Sequence, residues 1–99
     1  MTTSLIEAAA PLATGVVVTD DTLTVDLSDG RTVSVPLAWY PRLLNATTRE
    51  RSNWKLVAQG EGMHWPEVDE DISVASLIAG RPSAESAASL QRWLTARKT

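Results

Sequence analysis

Cysteine is absent from the 99 residues. Disulfides and thiolate metal sites are thereby excluded, and nothing calls for an oxidising compartment. Phenylalanine is absent as well, and there is one tyrosine and one histidine. Large aromatic packing therefore falls to the four tryptophans, Trp39, Trp54, Trp65 and Trp93. A single histidine without cysteine leaves zinc no more than a His-plus-carboxylate cluster, so no metal and no cofactor is expected. No apolar run approaches the roughly 20 residues a membrane helix needs. The start, M-T-T-S-L-I-E-A-A-A-P-L-A, lacks a basic leading region, and Glu7 interrupts its apolar run. Export is not expected, and the expected location is the cytoplasm.

Basic charge is also missing from one long stretch. Glu61 to Gly80 holds five acids (Glu61, Glu67, Asp69, Glu70, Asp71) and no Lys or Arg, leaving seven acids against nine bases elsewhere. The bases gather at Arg42, Arg49, Arg51 and Lys55, and again at Arg92, Arg97 and Lys98. A net charge of -3 suits a nucleic-acid binder poorly, because phosphate affinity needs concentrated Lys and Arg. Separate acidic and basic faces suit a protein partner or self-association.

What is present reads as one small domain. Val16 to Thr19 and Thr22 to Leu27 are predicted strands about a turn at Asp20-Asp21, with Leu23, Val25 and Leu27 on one face. Asp29-Gly30 predicts a two-residue hairpin turn into Arg31 to Val35. Pro36 ends that strand. Leu37 to Tyr40 predicts a helical turn, and Pro41 interrupts it or starts another. Thr47 with Glu50 three residues on predicts a capping box. Trp54 to Ala58 and Met63 to Trp65 predict two further strands about Gly60-Glu61-Gly62. Ser73 caps a helix closed by Gly80. Ser83 is expected to cap a last helix, with Ala87, Leu90, Trp93 and Leu94 as its apolar stripe. The fold class is α+β: a small antiparallel sheet of about five strands, short helices on one side and a C-terminal amphipathic helix. Residues 1–82 form the core domain. Residues 83–99 form the C-terminal helix, packed on the core or used for partner or dimer contacts.

The acidic stretch E-G-M-H-W-P-E-V-D-E-D-I-S fails the familiar site patterns. An EF-hand loop begun at Asp69 would put Val74 where Gly is required and Gly80 where Glu is required. G-E-G-M-H-W has Trp65 in place of the third glycine of a dinucleotide fingerprint. A hydrolytic arrangement with His64 as base, oriented by Glu67 or Asp69, is chemically conceivable. Strand alternation, however, turns His64 away from the face shared by Met63 and Trp65. The plainer reading makes Glu67, Asp69, Glu70 and Asp71 a solvated, helix-initiating segment. The sharper one makes them an acidic docking patch. Trp93, with Arg92 or Arg97, has the composition of an interface anchor.

W-Y-P-R-L-L from Trp39, N-W from Asn53, the run from Gly62 to Gly80 and the strand ending D-G-R-T-V-S-V-P-L together resemble the small bacterial and phage-associated domain-of-unknown-function family numbered 2442. The resemblance spans about Gly15 to Gly80, and H-W-P-E-V-D-E-D-I-S is its most specific part. It implies a compact α+β domain without assigned catalytic residues. Longer members precede a helix-turn-helix domain, whereas here the chain after Arg81 has room for one helix, so direct nucleic-acid binding is not expected. Many short members are encoded beside another small protein, in pairs that look like toxin–antitoxin modules. The leading expectation is a non-enzymatic interaction module, the antitoxin-like or regulatory half of a two-protein system, whose partner is the product of an adjacent gene. The expected partner surface is Glu67, Asp69, Glu70, Asp71, Arg92, Trp93 and Arg97. The alternatives are a small enzyme or metal-dependent hydrolase using His64, Glu67 and Asp69, and a homodimeric structural module joined through the C-terminal helix.

Overall fold

A computed structural model describes residues 10–98. The first nine residues of the apolar leader assessed for export lie outside the described residues. The fold is α+β, with six short strands divided between two three-stranded antiparallel sheets.

The first sheet is the meander β1 (Ala13–Val18), β2 (Thr22–Leu27) and β3 (Thr32–Pro36). The period-two pattern of T-L-T-V-D-L turns Leu23, Val25 and Leu27 inward, and all three are buried. β1 begins three residues before its predicted start. The register shifts between Ala13 and Gly15, so one residue is extra on β1 and Ala13 can still reach the core. The β2–β3 turn is longer than the two-residue turn expected. Leu27 N–H donates to the Arg31 carbonyl, Gly30 N–H donates to the Leu27 carbonyl, and Gly30 takes φ 94°. This is a three-residue loop with the glycine in the left-handed position. The Asp29 carboxylate selects it by accepting from Arg31 N–H at 3.0 Å and Arg31 Nε at 2.9 Å.

A 3₁₀ turn, Leu37–Trp39, leads to α1 (Pro41–Leu44) and α2 (Thr48–Ser52). Proline opens α1, where its missing N–H costs nothing. Both arms of the capping box form: Glu50 N–H donates to Thr47 Oγ1 and Thr47 N–H donates to Glu50 Oε1. The second sheet is β4 (Lys55–Val57), β5 (Gly62–Trp65) and β6 (Glu70–Ser73), followed by α3 (Val74–Ile78). Ser73 caps α3 through Ser76 N–H, and Gly80 at φ 72° ends it, as expected. Met63, Trp65, Ile72, Val74 and Leu77 join the buried residues of the first sheet in a single core.

The last helix, α4 (Ala87–Arg97), starts later than predicted. Its cap is Ser86, which accepts from Ser89 N–H. Residues 83–85 are held to the core instead: Ser83 N–H donates to the Trp39 carbonyl and Glu85 pairs with Arg42. Leu90, Trp93 and Leu94 are half-buried and Ala87 is exposed, so α4 lies on the core without burying any residue fully.

Candidate functional site

The β5–β6 hairpin carries the only histidine and four of the acids. Pairing places Met63 opposite Ile72, His64 opposite Asp71 and Trp65 opposite Glu70. Met63, Trp65 and Ile72 face the core, so His64 and Asp71 face out. Their side chains meet at 2.7 Å, Nδ1 to Oδ1, with Asp71 70% exposed. Glu70 and Asp71 therefore stand on a strand, not at the helix entrance expected from their position before Ser73. Cross-strand pairing to Trp65 and His64 overrides the local capping preference.

The connecting loop, Pro66 to Asp69, is pinned from within. Val68 is buried, and its carbonyl accepts from Arg42 Nη1 at 3.1 Å. Asp69 takes φ 52°, a conformation aspartate tolerates better than most residues. The four carboxylates go separate ways. Glu67 accepts from Arg49 at 2.7 Å and from Asn53 at 3.2 Å, and these bonds, the Arg49 one first, lower its pKa. Asp69 lies 3.9 Å from Arg42 and is 83% exposed. Asp71 meets His64. Glu70 is half-buried and accepts no hydrogen bond among the described residues. Burial, then the nearby charge of Glu85, pushes its pKa up to about 7. His64 thus touches neither Glu67 nor Asp69, and the three are not assembled as a hydrolytic centre.

Residues on the C-terminal helix are placed equally plainly. Two guanidinium groups stand over the Trp93 ring, Arg97 at 4.6 Å and Arg42 at 5.2 Å from its centre. Arg97 also grips Glu50, at 2.9 Å to Oε1 and 3.2 Å to Oε2. That contact, with burial opposing it, brings the Glu50 pKa down to about 2. Arg92 is exposed. Trp93 and Arg97 are therefore engaged within the chain.

One residue that sequence reasoning left among the general basic cluster turns out to be central. Arg42 donates to both oxygens of Glu85, at 3.0 Å from Nε and 2.7 Å from Nη2, while Nη1 reaches the acidic loop. No local pattern signals this, because its partners lie 26 to 43 residues away.

Among the described residues no group of three or more His, Cys, Asp or Glu is placed to hold a metal ion. No helix of the described residues is long and apolar enough to cross a membrane. A cavity of about 210 Å³, lined by Leu12, Glu61, Ser73 and Ala75 among others, lies near the start of the described chain. It is smaller than the roughly 300–1,000 Å³ usual for ligand pockets.

Residues 13–83 match the family described as "Protein of unknown function (DUF2442)". The chain belongs to that family. DUF2442 thus spans both sheets, α3 and the start of the link to α4. A solved structure, of a protein of unknown function from Rhodospirillum rubrum ATCC 11170, is similar at 26% identity with a TM-score of 0.66. The match covers 78% of this chain and 95% of that one. No curated protein matches.

Proposed function

We propose that this DUF2442 chain is a non-enzymatic protein-interaction module of the cytoplasm. In this reading it is the regulatory, antitoxin-like half of a bacterial two-protein system, and its partner is encoded by the adjacent gene. The observation that carries the reading is the build of the β5–β6 loop. Its backbone is anchored by buried Val68 and by Arg42, while Asp69 and Asp71 hold their carboxylates in solvent. A rigid loop with exposed charge of one sign suits electrostatic docking, since little ordering entropy is lost on binding. The expected hydrolytic set of His64, Glu67 and Asp69 is poorly arranged for acid–base work, because Glu67 is turned to Arg49 and Asp69 stands towards Arg42.

The basic face of the partner would meet Asp69 and Asp71, with Glu67 at the rim. Trp93 and Arg97, expected as anchors, are engaged with Arg42 and Glu50 and take part only if α4 lets go. The test is co-purification with the product of the adjacent gene, followed by titration of the Asp69→Asn, Asp71→Lys double variant. Asparagine tolerates the left-handed backbone at position 69, so the loop shape is kept. Affinity is expected to fall at least about tenfold, consistent with loss of close charge pairs. Unchanged affinity, or no binding by the wild type, would overturn the reading.

A further inference from the structure

The strands that end the two sheets, β1, β3, β4 and β6, are not alike. β3 closes on Pro36, β4 is three residues long and opens on Lys55, and β6 carries Glu70 and Asp71. Proline, brevity and charge each discourage a further strand from adding to an edge. β1 has none of them. It reads A-T-G-V-V-V, and no charged residue lies between Glu7 and Asp20. Its one irregularity, the register shift between Ala13 and Gly15, sits at its start.

Alternation along the ladder assigns the free groups of this edge. Leu27 N–H donates to the Arg31 carbonyl and Leu37 N–H to the Asp21 carbonyl, so the odd-numbered residues of β2 bond towards β3. Thr22, Thr24 and Asp26 therefore bond towards β1, and Thr19 N–H does donate to the Thr22 carbonyl. In that register Gly15 and Val17 are the hydrogen-bonded partners of Asp26 and Thr24. Val16 and Val18 then aim their N–H and C=O away from β2, and nothing among the described residues bonds to them there. The Val17 side chain stands on the solvent face at 59% exposure. Its neighbours Thr24 and Ser34 are occupied with each other, hydroxyl to hydroxyl at 2.8 Å. Ahead of Gly15 the edge is closed, because the Gly60 turn comes against Ala13: a Cβ on Gly60 would stand 3.0 Å from its carbonyl oxygen. The open window runs from Gly15 to Thr19, with Val17 at its centre.

We propose that this window pairs antiparallel with the same window of a second copy of the chain, about a two-fold axis at Val17. Val17 then meets its own counterpart in a non-hydrogen-bonded pair, the kind that brings side chains closest. Val16 of each copy exchanges main-chain bonds with Val18 of the other. Gly15 falls opposite Thr19 and Thr14 opposite Asp20, so no like charges meet. Neighbouring registers fit worse. Centring on Val16 would bring Thr19 against Ala13, where the Gly60 turn stands. Centring on Val18 would set Val16 against Asp20, beyond the end of β1. A window this short buries less than the roughly 1,200 Å² of a standard interface, so a weak dimer with Kd of about 0.1–1 mM is expected. α4 and the acidic loop take no part, and the inference does not depend on the proposed partner.

Sedimentation of the whole chain should show its mass rising towards a dimer between about 0.05 and 2 mM. Over the same range the Val16 and Val18 amides should come to exchange about threefold more slowly. Val17→Lys sets two lysines opposite each other at an exposed position, so it should fold and stay monomeric. Val17→Cys places the only thiol of a cysteine-free chain on the axis. Under mild oxidation at about 0.5 mM it should form a disulfide-linked dimer at least about tenfold faster than Leu56→Cys, which is exposed on β4, because the pair holds its sulfurs within bonding reach. A chain that stays monomeric to 2 mM, or a Val17→Lys variant that still dimerises, overturns the proposal. So does a Val17→Cys variant that links no faster than Leu56→Cys. Val16 and Val18 amides protected equally at every concentration would mean that the chain covers this edge itself, and would overturn it too.

Discussion

Replacing Arg51 tests how a charge is held at the edge of the core. Arg51 is only 9% exposed, and its guanidinium reaches three acceptors. Nε donates to the Leu43 carbonyl at 3.0 Å, Nη2 to the Leu44 carbonyl at 2.9 Å and Nη1 to Asp20 at 2.9 Å. The ion pair invites credit for the stability, but the Asp20 side chain is 99% exposed. An exposed pair contributes about 0–1 kcal/mol. The carbonyls close α1, whose last turn has no helical donors of its own. Leu43 keeps a second donor, Ala46 N–H. The Leu44 carbonyl has no other donor among the described residues. Charge-assisted bonds contribute roughly 1.5–3 kcal/mol each, so after partial relief of the buried charge Arg51→Ala should cost about 3 kcal/mol. In a domain of this size that is a fall in Tm of about 12–24 °C. Asp20→Ala should cost less than about 1 kcal/mol. Arg51→Met keeps the aliphatic stem but cannot donate, and should lose nearly as much as alanine. Urea unfolding followed by tryptophan fluorescence measures all three. If Asp20→Ala matches Arg51→Ala, or if Arg51→Met recovers most of the loss, the capping argument is refuted.

Two further outcomes follow from the fold. Glu50 has its pKa depressed to about 2, so its contribution to stability is present above the ordinary glutamate value and is lost as pH falls towards 2; Glu50→Gln should flatten the acid limb of an unfolding-against-pH curve, and an unchanged limb would contradict the Arg97–Glu50 and Thr47 contacts. Gly60 sits at φ 102°, and a Cβ there would stand 3.0 Å from both the Ala13 carbonyl oxygen and Leu12 Cβ; Gly60→Ala should destabilise by roughly 1–3 kcal/mol in chemical unfolding, and a neutral result would mean that the turn and β1 separate easily.

What the sequence made legible was whatever is encoded within a few residues. The alternation of Leu23, Val25 and Leu27, the Thr47–Glu50 box, the Ser73 cap and the Gly80 terminator each depend on neighbours within one or two turns. The outward turn of His64 followed from Met63 and Trp65 alone. One error was local: Asp29-Gly30 signalled a turn, but the side-chain bonds of Asp29 to Arg31, two residues on, selected the longer loop. The others began where distant residues decide. Glu70 and Asp71 resemble helix-entry acids beside Ser73, and only pairing with β5 makes them a strand. Ser83 is a good cap by type, yet Glu85 is drawn to Arg42 and the helix waits until Ser86. The division of six strands into two sheets depends on Trp65 and Leu23 sharing one core, which no local window contains. Arg42 is the clearest case at the candidate site. It binds the acidic loop to α4 through contacts that have no spacing rule.

The strand order of both sheets has a kinetic consequence. Every strand pairs only with its immediate neighbour in sequence, so neither sheet waits for a remote segment before it closes. Each meander can zip from its own tight turns, and the slow step becomes the meeting of two preformed halves around Trp65. All-β proteins with distant pairings fold in roughly milliseconds to seconds, whereas local pairing of this kind belongs to the faster end of mixed α/β domains. A chain whose central strands β2 and β5 are paired on both sides this early spends little time exposing them to other chains during synthesis.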